Sequence, residues 1–425
     1  MKNILKYIIV SITLFFIGFM ALILVSFIPK ATIRENVAES ADFMKKQGEV
    51  FEFNSIGRTI FNHNSTDAIM LNIVYSLDDE NVIDSVLRAR RNYIPNVSTE
   101  FVEDKLGNLK HESAYFFMTN ELYDLVNGEK QKVFDYARYW HGYIVILRPL
   151  LLIFNIFEIR IILQIVLLLF FVILLYYISK KRSWKLSLIY LVSFIALDLL
   201  AWITTIQGIL VMIIATVTSV FIANGKINNK NMNLLLFISG ALTAYFDFLT
   251  TPLITFLLPI ITYKMINIEE TTIKKELISF IKNGFSWGVG YLGFWTSKWI
   301  ITDLILDTEI IKLSLEQILY RIGSGRKNIN FLALLYNCIF SANILNIIMY
   351  VTTFWCSLCF GARKGIKYFF EKQKLYYYLC MIIPIVWYCI IADHSYQHYF
   401  FTYKTLIITL LGYMLIVFDD RKIKK

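Results

Sequence analysis

Residues 7–28 read YIIVSITLFFIGFMALILVSFI, an uninterrupted apolar run of 22 residues. A helix of this length crosses a hydrocarbon core of about 30 Å. Lys2 and Lys6 precede the run, which predicts that its start is cytoplasmic. A cleaved signal peptide is the alternative, but its apolar region is normally about 7–15 residues long and ends in a small-residue cleavage site. We therefore predict a retained transmembrane anchor over residues 1–28.

The composition agrees with a membrane protein, since 57% of the residues are hydrophobic, 16% are aromatic and the mean hydropathy is +0.57. The net charge of +10 would also suit a nucleic-acid-binding protein. Its basic residues, however, fall mostly in short loops between apolar runs, as expected for loops on the cytoplasmic side of a membrane. No nucleic-acid partner is expected.

Residues 143–425 form the polytopic region of the prediction, in which apolar runs alternate with basic clusters such as Lys180-Lys181-Arg182. Placing these clusters on one side gives about ten transmembrane helices, with both termini cytoplasmic. The predicted fold is an all-α integral membrane protein that crosses the membrane many times. The Lys-, Ile- and Asn-rich composition suggests a bacterial plasma membrane.

Residues 29–142 form a large polar segment, which we predict to be an extracytoplasmic loop region of short helices and loops. From Pro29 to His141 this segment holds 13 Lys and Arg against 18 Asp and Glu, so the acidic excess of the chain lies here. Pro95, Gly107 and Gly128 punctuate it.

Asp67 follows the polar turn Asn64-Ser65-Thr66 and opens an apolar, helix-like stretch. A carboxylate at this place in the extracytoplasmic segment is a candidate general base that takes a proton from an attacking hydroxyl. The other interpretation is that Asp67 caps a helix N-terminus, which the flanking residues support equally well.

The end of the polar segment reads RYWHGY over residues 138–143 and precedes a short apolar stretch with Arg148. Arg138, His141 and Arg148 are candidate ligands for a lipid phosphate, because cationic groups at a membrane surface suit that anion. The alternative is an interfacial belt in which aromatic rings lie at headgroup depth.

Near the C-terminus, His394, His398 and Lys404 place three potentially cationic groups between two predicted spans. The two histidines have the i, i+4 spacing of one helix face, but no third metal ligand accompanies them. We therefore assign them to substrate binding and predict neither a metal site nor a cofactor, although a divalent metal would be chemically possible.

Asp247 lies within or at the outer end of a predicted span, where ionisable residues usually face a cavity, and it is a further candidate for substrate binding. Positive charge also falls on the predicted outer face, against the usual bias, at Lys298, Arg321, Arg326 and Lys327. This departure indicates an anionic ligand outside.

The order of these parts resembles the polytopic glycosyltransferases of the GT-C superfold, which use sugars linked to lipid phosphates. The resemblance covers roughly residues 1–260 and is carried by Asp67, the run 138–142 and the span 161–182. It departs from the superfold because the acidic residue often lies nearer the first span there, and because Gly142 rather than proline follows His141.

The resemblance implies an inverting transfer from a polyprenyl-phosphate-linked donor to a glycan or other cell-envelope acceptor at the extracytoplasmic face. Asp67 would be the base, and Arg138, His141, His398 or Lys404 would stabilise the departing phosphate. Membrane lipid is the other expected partner. A polysaccharide polymerase and a lipid-linked saccharide transporter or flippase are the alternative functions.

Overall fold

The computed structural model describes the whole chain except Met1 and residues 56–57, 79, 94–101, 104–108, 111–117, 130, 200–202, 228, 268–271, 325–343, 399–401 and 421–425. Arg326 and Lys327, two of the predicted outer charges, lie outside the described residues. Helices dominate the described part, as the sequence predicted.

The polar segment follows the first helix, α1 (Lys2–Ser26), and contains short helices together with three antiparallel two-stranded sheets, β1–β2, β3–β6 and β4–β5. The amino-acid pattern gave no indication of these strands, because each of them has at most six residues. The elements of the segment are α2 (Lys30–Gln47), β1 (Val50–Ser55), β2 (Arg58–His63), α3 (Ser65–Ser76), α4 (Val82–Arg88), β3 (Arg90–Tyr93), β4 (Val102–Glu103), β5 (Leu109–Lys110), α5 (Met118–Val126) and β6 (Lys132–Asp135).

The rest of the described chain is helical apart from its turns. Its helices are α6 (Ile144–Leu150), α7 (Ile156–Lys181), α8 (Trp184–Ala196), α9 (Ile206–Ala223), α10 (Asn229–Phe246), α11 (Ile254–Ile266), α12 (Ile273–Leu306), α13 (Ile310–Leu319), α14 (Ile344–Lys364), α15 (Leu375–Ile390), α16 (Ala392–Gln397) and α17 (Ile407–Phe418). A short π-helical turn, Tyr320–Ser324, follows α13.

Five helices of the described part are long and apolar enough to cross a membrane: Ile4–Ser26, Ile156–Lys181, Ile206–Ala223, Ile344–Lys364 and Lys372–Ile390. Shorter apolar helices accompany them at Trp184–Ala196, Asn231–Phe246, Ile254–Ile266 and Tyr403–Phe418. These helices are compatible with a membrane protein, while the total of ten spans stays a prediction. The apolar side chains of α1 are mostly exposed, which suits a helix surrounded by lipid.

Two features of the sequence explain how α7 and α12 are placed. Asn155 and Glu158 form a capping box at the start of α7, because each side chain accepts a hydrogen bond from the other residue's backbone N–H. Gly240 of α10 and Gly290 of α12 let two helix backbones meet. A Cβ on either glycine would lie within 2.2 Å of a backbone oxygen of the opposite helix.

The polar segment is joined to the helical part by buried polar contacts rather than by a flexible linker. Arg148 of α6 is completely buried, and it donates from Nε to the Ile28 carbonyl at 3.1 Å and from Nη1 to the Val74 carbonyl at 2.8 Å. The backbone N–H of Ile156 donates to Ser40 Oγ at 2.8 Å. The end of α1, α2, α3 and the start of α7 are therefore held together.

Candidate functional site

An aromatic cluster marks the place where the end of the polar segment meets the turn between α10 and α11. The ring of Phe248 contacts the rings of Tyr139, His141 and Tyr143 at centroid distances of 5.2, 5.3 and 5.3 Å. Tyr136 lies at 6.1 Å from the same ring. Edge and tilted ring contacts of this kind add to the stabilisation from burial.

The two segments are also joined by their backbones. Gly142 N donates to the Tyr245 carbonyl at 2.8 Å, and a Cβ on Gly142 would lie 2.2 Å from the Tyr245 ring. This close approach explains why glycine rather than a larger residue follows His141. His141 itself has a φ of 57°, a conformation that is uncommon for any residue with a side chain.

His141 is buried and neutral in this arrangement. Its Nε2 lies 2.8 Å from the Tyr136 carbonyl and its Nδ1 lies 3.0 Å from the Tyr143 hydroxyl. Because a carbonyl only accepts, Nε2 carries the proton and Nδ1 accepts from Tyr143. Burial lowers the pKa of His141 to about 3, so the ring contributes positioning rather than positive charge.

Two arginines lie beside this cluster. The Arg138 guanidinium stands 4.8 Å from the centroid of the Tyr136 ring, and Arg321 Nη2 donates to the Tyr139 hydroxyl at 3.0 Å. The Arg138 carbonyl accepts from Nε1 of both Trp295 and Trp299, at 2.7 and 2.9 Å. Helix α12 therefore fixes the backbone from which Arg138 projects.

The turn 247–251 brings two further predicted residues to the same place. Asp247 accepts hydrogen bonds from the backbone N–H and the hydroxyl of Thr250, and it is 5% exposed. His394 Nε2 donates to the Leu249 carbonyl at 3.0 Å, and its ring lies 4.7 Å from that of His398. Leu249 has a φ of 65°, so it joins His141 as a second strained residue at one site.

Asp67 lies elsewhere, in the first turn of α3, and is completely buried. Its carboxylate forms an ion pair with Arg160 of α7, with Nη2 to Oδ2 at 2.7 Å. The backbone N–H of Ile206 donates to its two oxygens at 3.2 and 3.1 Å. Asp67 thus binds the N-terminus of α9, where the adjacent Thr205 makes no side-chain capping bond.

The remaining predicted cations have partners of their own. Lys298 donates to the carbonyls of Val86 and Leu87 at the end of α4, at 3.0 and 2.9 Å. Lys404 is buried near Asp198, which attracts it, and Tyr403 donates to Asp198 at 3.2 Å. Arg148 binds the carbonyls described above.

The structure therefore brings Arg138, His141, Asp247, His394 and His398 around one aromatic site, whereas the partners of Asp67 and Arg148 lie in other elements. Sequence reasoning did not identify Arg160, Tyr136, Phe248 or Trp295. The only available signal was the aromatic content of the runs around 136 and 295. Among the described residues, no group of three His, Cys, Asp or Glu side chains is arranged to hold a metal ion.

An apolar groove of about 320 Å³ runs between α1, α10 and α12. Phe15, Phe237, Gly293 and Phe294 are among its lining residues. Phe15 and Phe294 also contact the ring of Trp140, at 5.6 and 5.2 Å. The residue that follows Phe294 in α12, Trp295, stacks on Tyr139 of the aromatic site at 5.8 Å, so the groove and the site adjoin along this helix.

No family model, curated protein or solved structure matches this chain.

Proposed function

We propose that the protein is a glycosyltransferase of the GT-C type, which moves a sugar from a polyprenyl-phosphate-linked donor to a cell-envelope acceptor. The supporting observation is the adjacency of the apolar groove and the polar aromatic site along α12, where Phe294 lines the groove and the next residue, Trp295, stacks on Tyr139 of the aromatic site. A lipid tail gains free energy by leaving water for apolar surface, while its charged headgroup needs polar partners. One lipid-linked molecule would use both regions.

The reaction requires a carboxylate and a stabilised leaving group. An acceptor hydroxyl oxygen forms a bond to the anomeric carbon, and the bond from that carbon to the phosphate oxygen breaks with its electron pair. The hydroxyl proton passes to a carboxylate, and the configuration inverts in this single displacement. The arginines beside the aromatic site would stabilise the negative charge on the phosphate.

Two carboxylates are candidates for the base. Asp67 remains the candidate from the sequence, but both of its oxygens are occupied by Arg160 and by the N-terminus of α9. Asp247 adjoins Phe248 in the aromatic site, and its carboxylate accepts hydrogen bonds from the backbone N–H and the hydroxyl of Thr250. Its place next to Phe248 in the aromatic site favours Asp247 as the base.

The proposed location is a bacterial plasma membrane, with both termini cytoplasmic and the aromatic site on the outer face. The basic residues at the ends of the apolar helices support this orientation, as at Lys180 and Lys181 in the last turn of α7.

The test is transfer of radiolabelled sugar by the purified protein from a panel of polyprenyl-phosphate sugars. Asp247→Asn should reduce transfer by about 10²-fold or more if it is the base. Asp42→Asn is the matched control, because Asp42 forms only an exposed pair with Lys46. Absence of transfer with every donor, from folded protein, would refute the glycosyltransferase and favour a polymerase or a transporter.

A second pair of variants tests the groove. Gly293 lines it and Gly288 does not, and a Cβ added to either glycine meets no atom within 4 Å. Gly293→Leu should raise the KM for the lipid-linked donor about tenfold because it fills the groove, whereas Gly288→Leu should leave KM unchanged. Equal effects of the two substitutions on this KM would show that the groove does not bind the donor.

A further inference from the structure

We infer that Arg138 and Arg321 form a binding site for a phosphate group, with Arg91 at its edge and the Tyr136 hydroxyl as an additional donor. The inference deepens the proposed function and rests on it for the biological substrate. The binding of phosphate itself is tested separately from transfer.

The first observation is a pair of buried donors without acceptors. Nε of Arg138 and Nη1 of Arg321 are both shielded from solvent, and neither has a hydrogen-bond partner within the described part of the chain. Most buried polar side-chain atoms are paired, so an orphaned one requires an explanation. Guanidinium N–H groups can only donate, and phosphate oxygens are strong acceptors with matching geometry.

The second observation is the lack of a counter-charge. Over the residues that the structure describes, no carboxylate lies within 4.0 Å of Arg138 or Arg321. Other internal arginines do have such partners: Arg160 pairs with Asp67 at 2.7 Å, and Arg91 pairs with Glu121 at 2.6 Å. Arg138 and Arg321 instead contact Tyr136 and Tyr139, which leaves two positive charges available to an anion.

The pKa of the Tyr136 hydroxyl reflects the positive charge around it. Burial alone would raise the pKa of the Tyr136 hydroxyl, but the positive charges of Arg138, Arg321 and Arg91 lower it below its ordinary value. The edge of the site is defined by Arg91, whose guanidinium lies 5.6 Å from the Phe134 ring and whose Nε is also buried without a partner in the described structure. An anion near Tyr136 would therefore be attracted mainly by Arg138 and Arg321, because the charge of Arg91 is already paired with Glu121.

The site is assembled from three distant parts of the chain. Arg91 lies in β3, Arg138 follows β6, and Arg321 belongs to the π-helical turn Tyr320–Ser324. Single π-helical turns are rare and occur frequently at functional sites. This turn also contacts α16, the helix that carries His394. The arrangement therefore links the arginines to the histidines on the other side of the aromatic cluster.

The test is binding of inorganic phosphate to the purified full-length protein in detergent, with chloride at equal ionic strength as the reference. Tryptophan fluorescence is a suitable signal, because Trp295 stacks on Tyr139 at 5.8 Å and Tyr139 bonds to Arg321. Arg138→Gln and Arg321→Gln should each weaken phosphate binding at least about tenfold, since each removes a charge-assisted hydrogen bond. Lys312→Gln is the control, because it removes an exposed charge from the neighbouring helix α13.

A second arm uses a short-chain polyprenyl monophosphate to identify the source of the phosphate. Binding of both probes with the same dependence on the arginines supports a site that accepts free phosphate as well as a lipid headgroup. Binding of the polyprenyl probe alone, still dependent on the arginines, supports the site and shows that the lipid tail is needed.

Binding of neither probe by protein with an intact thermal transition would overturn the inference. Binding that is equally tight in the arginine variants and in Lys312→Gln would overturn it as well. Phosphate binding without any sugar transfer would leave the site standing and refute only the proposed glycosyltransferase.

Discussion

Replacement of Asp67 by asparagine separates the two roles that the sequence allows for this residue. The carboxylate is completely buried and pairs with Arg160, which is itself only 5% exposed. Asp67→Asn keeps the shape of the side chain but removes its charge, so Arg160 is left buried without a counter-ion. Arg160 would keep only its bond from Nη2 to Asn64 Oδ1 at 3.0 Å, together with a weak contact to the Met44 sulfur.

The expected cost follows from this burial. Removing one partner of a buried ion pair destabilises a protein by about 3–5 kcal/mol, because the other charge remains desolvated. The asparagine oxygen can still accept from Ile206 N–H, so we expect a value near the lower limit, about 3 kcal/mol. The exposed pair of Asp42 and Lys46 provides the reference, and Asp42→Asn should leave the free energy of unfolding nearly unchanged.

The assay is the thermal unfolding of detergent-purified protein, measured beside sugar transfer for each variant. Asp67→Asn should unfold several degrees below the wild type, and Asp42→Asn should not. The double variant Asp67→Asn, Arg160→Gln should recover part of the loss, since no buried charge then lacks a partner. If Asp67→Asn has normal stability but no longer transfers sugar, the structural role of Asp67 is refuted and Asp67 is the base.

Three further predictions concern the polar segment. Gly142→Ala should destabilise the protein by about 1–3 kcal/mol through overpacking against Tyr245, measured as a lower unfolding temperature; an unchanged temperature would contradict the close approach. His141 has a pKa of about 3 in the native state, so the unfolded state binds the imidazole proton first as the pH falls below 6.5. The free energy of unfolding should therefore decrease by about 2 kcal/mol by pH 5. His141→Asn should show a smaller decrease over the same pH range. Burial raises the pKa of the Glu49 carboxyl, so this group ionises first in the unfolded state as the pH rises through 4.5. The stability of the wild type should therefore fall above that pH, whereas the stability of Glu49→Gln should not. Parallel pH profiles of the two proteins would contradict a raised Glu49 pKa.

Some of the candidate site was accessible from the sequence. Arg138 and His141 were identified from an aromatic, basic run at the end of the polar segment, and Asp247 from a carboxylate beside a predicted span. Both features are local and can be read from a few neighbouring residues. The role of His141 was not accessible in this way, because its neutral state depends on its burial and on a carbonyl and a hydroxyl that only folding aligns.

The partners of the buried charges were inaccessible for a different reason. Arg160 is 93 residues from Asp67, and Arg321 is 182 residues from Tyr139. No spacing rule connects residues so far apart, since an ion pair depends on where whole helices pack. The short two-stranded sheets of the polar segment were missed because strands of two to six residues carry little periodicity.

The amino-acid sequence by itself determined that this protein is helical and suited to a membrane, because the length and hydropathy of an apolar run act locally on the chain. It also located the polar segment between the first helix and the apolar remainder. Only the tertiary structure decided that Asp67 meets Arg160 and the start of α9, and that Arg138 and Arg321 lie at one site with no carboxylate within 4.0 Å in the described part of the chain. Pairing of buried charge depends on which distant elements pack in three dimensions, and that information is not contained in any single stretch of the chain.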